Sequence, residues 1–92
     1  MDNIEEDKLD FFDTMYIKIN DLEEDFLNLE EEYQNDNITK EEFLSKVNQY
    51  KDLVEQYFSS IDDFSETYND LDMAEDLTEP LSKIERWLNK VS

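Results

Sequence analysis

The sequence predicts an all-α protein: a long antiparallel helical hairpin completed by a shorter third helix, a three-helix bundle of coiled-coil character. Three observations carry this. Apolar residues recur at alternating three- and four-residue spacings along most of the chain, the signature of helices packed seam to seam. Glycine is absent and proline occurs once, so residues that break helices are scarce. One polar cluster interrupts the periodicity near residue 36, and a helix-start signature follows it directly.

The first helix is predicted over about 3–34. Its seam is Phe12, Met15, Ile19, Leu22, Phe26, Leu29 and Tyr33, while Glu5 and Lys8 depart from it. The turn is Gln34-Asn35-Asp36-Asn37-Ile38, after which Thr39-Lys40-Glu41-Glu42 reads as a capping box with Thr39 as N-cap. The second helix is predicted over about 39–71, with its seam at Phe43, Val47, Tyr50, Val54, Tyr57, Ile61, Phe64, Tyr68 and Leu71. Leu44, Leu53 and Phe58 widen that face, which predicts two packing neighbours for this helix. The third helix is predicted over about 78–91. Thr78-Glu79-Pro80 reads as its start because proline is tolerated in a first turn. Leu77, Leu81, Ile84, Leu88 and Val91 form its seam, with Trp87 beside it, and it is expected to pack across the open end of the hairpin. Residues 1–92 form one domain. In the hairpin register Lys51 is expected opposite Glu23 and Lys46 near Asp25.

Composition removes several kinds of chemistry. With 27 acidic and 8 basic residues the net charge is −19. High charge with few apolar residues marks disorder, but 38% of this chain is hydrophobic and periodic, which predicts a folded core under an acidic coat. Cysteine and histidine are both absent, so thiolate ligands, nucleophilic thiols and the usual general base are missing. No glycine-rich loop is available to cradle phosphate. No apolar run is long enough to span a bilayer, and anionic lipid would repel the chain, so a cytoplasmic location without membrane contact is expected. No cofactor and no metal site are expected. Residues 31–42 end like a calcium loop, but the third ligand position is Tyr33 and the sixth, where the loop needs glycine, is Asp36. Carboxylate pairs can catalyse hydrolysis, but here they fall on outward helical positions with no cleft, so a non-catalytic protein is expected. Asn37-Ile38-Thr39 matches a glycosylation acceptor without a secretion signal beside it.

The carboxylates are unevenly distributed. Residues 1–36 hold fourteen acids and two lysines, a sum of −12. Residues 61–80 carry eight acids and no base, whereas 81–92 sum to +2. The hairpin would bring Glu5, Glu6, Asp7, Asp10 and Asp13 beside Asp62, Asp63, Glu66, Asp70 and Asp72, followed by Glu75 and Asp76. Asp21, Glu24, Asp25 and Glu31 extend the acid along the first helix. A helix of about 34 residues is roughly 50 Å long, so the net charge amounts to about one per 2.6 Å. Duplex DNA carries about one per 1.7 Å of axis. These acids are the candidate partner-binding residues. Leu9 and Phe11, off the first seam, and Trp87 are candidate hydrophobic contacts that either close the core under the third helix or join two copies in a homodimer.

In this dense acidic coat on a short chain, the sequence resembles the small acidic inhibitors that phages and mobile elements direct against restriction or CRISPR nucleases. The resemblance is one of overall character and assigns no residue a role. It implies a nucleic-acid mimic whose partner is a basic protein, a nucleic-acid-binding protein or nuclease, in the host cytoplasm, with no direct contact to nucleic acid. The alternative is a helical adaptor, antitoxin or chaperone that binds through the wide apolar face of the second and third helices. A scaffold component of a virion or other assembly is a third reading.

Overall fold

The computed structural model describes the backbone of residues 4–91 and the side chains of residues 6–91. Three helices make up the fold: α1 (Ile4–Gln34), α2 (Lys40–Tyr68) and α3 (Leu71–Val91). Each packs on the other two, giving a rod of 55 × 18 × 16 Å.

The α1–α2 turn is built without glycine. Asp36 takes the left-handed conformation (φ 59°), the amide of Asn37 donates to the Glu32 carbonyl at 2.9 Å, and that of Asp36 donates to Tyr33 at 3.2 Å. This paired pattern closes off the carbonyls at a helix end. Thr39 then caps α2 as the sequence predicts, its hydroxyl accepting from the Glu42 amide at 3.1 Å.

The second connection differs from the expectation. The sequence predicts α2 running to residue 71 and α3 beginning at 78, but α2 ends at Tyr68 and α3 begins at Leu71. Asn69 adopts the left-handed conformation and its amide donates to Ser65. Asp70 then caps α3, its carboxylate accepting from the Met73 amide at 3.1 Å. Two adjacent residues thus end one helix and start the next. Leu71 keeps the seam spacing by coincidence, being 67% exposed. Pro80, read as a helix start, is the tenth of the 21 residues of α3. It removes one backbone hydrogen bond from the helix interior. The helix runs through it because Ala74 and Leu77 before it and Leu81, Ile84 and Leu88 after it form one continuous buried row. Nor does α3 lie across the open end. It runs the length of the hairpin, since its last residue, Val91, shares a surface hollow with Tyr33 and Phe43 beside the first turn.

Most of the predicted seam residues form the core, while Phe12, Tyr33, Tyr50, Tyr57 and Val91 are only partly buried against it and Tyr68 is half-buried beside Phe64. Met15, Ile19, Leu22, Phe26 and Leu29 of α1 meet Phe43, Val47, Val54 and Ile61 of α2 and the α3 row. Leu44, Leu53 and Phe58 are partly buried against this core. The wide face of α2 therefore has the two neighbours its breadth predicts. Phe11 stacks on Phe64 with ring centroids 4.9 Å apart, and Trp87 stacks on Phe26 at 5.9 Å. Both close the core, while Leu9 stays 52% exposed. Glu23 takes Lys83 of α3 as its partner, at 3.5 Å, instead of the expected Lys51, which lines the α2–α3 groove with Glu55 and Glu85. Lys46 shares a hollow with Asp25, as expected.

Candidate functional site

The open end of the rod is held by contacts from the start of α1 to the end of α2 and to the α2–α3 corner. One is the Phe11–Phe64 stack. The other is an ion pair between Lys8 and Asp70. With these in place, Glu6, Asp7, Asp10 and Asp13 on α1, Asp62, Asp63 and Glu66 on α2, and Asp72, Glu75 and Asp76 on α3 share one end of the bundle, all exposed. The side chain of Glu5, also a candidate, lies outside the described residues. Asp70 has a structural task within the cluster, since it caps α3 and holds Lys8. Hydrogen bonding from Lys8, then from the Met73 amide, lowers its pKa from the usual carboxylate value. Lys8 is engaged in that pair and partly buried.

The acids farther along α1 do not form one stripe. Asp21 and Asp25 turn towards α2, where their charge bears on Tyr57 and, for Asp25, on Tyr50 as well. Both phenols are raised above the tyrosine value of 10.0, by partial burial first and by these carboxylates second. Glu24 and Glu31 face outward and are exposed. The basic residues Lys83, Arg86 and Lys90 occupy the second half of α3, away from the acidic end. Lys83 lies 4.7 Å from the centre of the Trp87 ring as well as beside Glu23. The rod is thus electrostatically polar, with its carboxylates concentrated where the three helix segments 6–13, 62–66 and 72–76 converge.

The surface also carries apolar groups that no seam accounts for. Tyr16, Ile17 and Leu27 on α1 are about half exposed, as is Leu9. The signal for them was present in the sequence, because off-seam apolar residues on a helix with an already complete seam must face outward. Among the described residues no group of three or more acidic side chains is placed to hold a metal ion. Among the described residues no helix is long and apolar enough to cross a membrane. No protein-family model, curated protein or solved structure matches this chain.

Proposed function

We propose that this protein is a non-catalytic acidic binding protein that occupies a basic nucleic-acid-binding surface of a partner protein, in the manner of a DNA-mimicking inhibitor. The observation that carries the reading is charge density on a rigid support. Nineteen net negative charges are distributed over a rod 55 Å long, about one per 3 Å, where duplex DNA has about one per 1.7 Å. Arginine and lysine side chains that grip phosphates also pair with carboxylates, arginine often bidentately. A groove that expects two rows of phosphates can accept the helix faces that converge at the open end. A nuclease of the restriction or CRISPR type, met in a host cytoplasm, is the kind of partner this chemistry suits.

The adaptor or chaperone reading draws less support. It needs the apolar face of α2 and α3 to be available, and Val54, Ile61, Leu77, Leu81, Ile84 and Leu88 are buried in the chain's own core.

The test is capture from host extract at low ionic strength followed by elution in a salt gradient. A basic nucleic-acid-binding protein should elute at intermediate salt, because charge pairing across an exposed interface is screened. The recovered partner should also release its nucleic acid when this chain is added. Retention that is unchanged in molar salt, or release of no nucleic acid, would refute the proposal.

A further inference from the structure

Leu9, Tyr16 and Leu27 are between 47% and 52% exposed. They are seven and eighteen residues apart along α1, which is about two and five helical turns, so they form one straight row about 27 Å long. Single exposed apolar side chains are ordinary; three on one line mark one face of α1, with exposed Asn20 between Tyr16 and Leu27. About 50° further round the same helix runs a second row, Glu6, Asp13, Glu24 and Glu31, with the same spacings of seven and eighteen. All four of these carboxylates are exposed. On its other side the row borders α3, where Glu23 pairs with Lys83 and Lys83 lies over the Trp87 ring. Tyr16 stacks on half-buried Phe12 at 6.2 Å, and Leu27 borders a hollow of about 280 Å³ with Phe26, Glu30, Trp87, Lys90 and Val91.

We infer that this face of α1 is the docking surface for an amphipathic basic helix of the partner, which lies along α1 over the apolar row and the acidic row beside it. Its apolar side covers Leu9, Tyr16 and Leu27, and its lysines or arginines pair with Glu6, Asp13, Glu24 and Glu31. The charge pattern selects this occupant. A second copy of the chain would bring another −19 against the same face, and a nucleic acid or an anionic lipid surface would be repelled in the same way. Three apolar anchors seven and eighteen residues apart match apolar positions at helical spacing on another helix. The inference rests on the acidic-binding reading and narrows it: the partner's contact region includes a helix, and α1 meets it through apolar anchors as well as charge.

The test uses two synthetic peptides of identical composition, eighteen residues of leucine and lysine. One is arranged as an amphipathic helix and the other is scrambled to destroy the apolar side. Binding to the full chain is measured by calorimetry at moderate salt. The helical peptide should bind at least about tenfold tighter than the scrambled one, a difference of about 1.4 kcal/mol. The triple variant Leu9→Ser, Tyr16→Ser, Leu27→Ser should erase that preference while keeping the scrambled peptide's affinity, with an unchanged helical circular dichroism spectrum. Equal affinity for the two peptides, or a preference that survives the triple variant, overturns the docking surface and leaves the acidic-binding reading standing. If neither peptide binds, both fall.

Discussion

Two residues hold backbone conformations that glycine would take more easily, Asp36 (φ 59°) and Asn69 (φ 52°). A chain without glycine has to make its helix ends from Asp and Asn, whose short polar side chains tolerate the left-handed region best among the remaining residues. Asp36→Gly should therefore be more stable than Asp36→Ala by about 1 kcal/mol in urea unfolding, since both remove the same charge and only one restores an unhindered backbone. Tyr50 and Tyr57 give the fold an alkaline limit. Their folded pKa values are raised above 10.0 by burial first and then by nearby carboxylates, Asp25 and Glu32 at Tyr50 and Asp21 and Asp25 at Tyr57. A phenol that keeps its proton more tightly when folded contributes stability that is complete below pH 10 and is lost as pH rises through the raised value. Thermal melts should fall steeply above that pH, and replacing both with phenylalanine should flatten the fall. Asp70 has the opposite sign. Its lowered pKa makes the Lys8 pair stabilising above the ordinary carboxylate value of 3.8, with that contribution lost as the pH drops through the folded pKa.

At the scale of elements, Pro80 is the one residue whose local preference opposes its helix. Proline in a helix interior costs about 3 kcal/mol relative to alanine. Pro80→Ala should raise the unfolding free energy by about 1–3 kcal/mol, read from denaturant midpoints at constant slope; no gain would mean that α3 is distorted there to accommodate the ring. The same residue marks the limit of what the sequence disclosed. All three helices, their seams and the Thr39 cap were legible, because each depends on spacing or on a local hydrogen bond. The α2–α3 corner was not. Leu71 extended the α2 spacing by chance, and Thr78-Glu79-Pro80 imitated a helix start. The deciding signals were Asn69 and Asp70, a left-handed end residue followed at once by an N-cap. The gathering of acids at the open end was legible from the hairpin register. The turning of Asp21 and Asp25 towards α2, and the Glu23–Lys83 pairing, were not, because they depend on where α3 lies along the hairpin.

At the scale of the molecule, apolar rows inside and like charges outside oppose one another. The described residues bury fifteen apolar side chains and no polar or charged one, so cohesion comes from packing while the surface charge of −19 pushes the helices apart. Added salt should therefore raise the melting temperature by screening that repulsion; a melting temperature that falls with moderate sodium chloride would show that attractive pairs outweigh it. Mild acid, above the range where Asp70 titrates, should act in the same direction. That a fold tolerates this repulsion is explained if the carboxylates serve a cationic surface. The most direct measurement compares wild type with the variant Glu6→Gln, Asp10→Asn, Asp13→Asn, Asp62→Asn, Asp63→Asn, Glu66→Gln for the concentration needed to displace nucleic acid from the captured basic partner. Acidic-surface binding predicts a loss of at least about tenfold in potency, the equivalent of about 1.4 kcal/mol, in a variant that melts at the same or a higher temperature. Equal potency from the neutralised variant would contradict it.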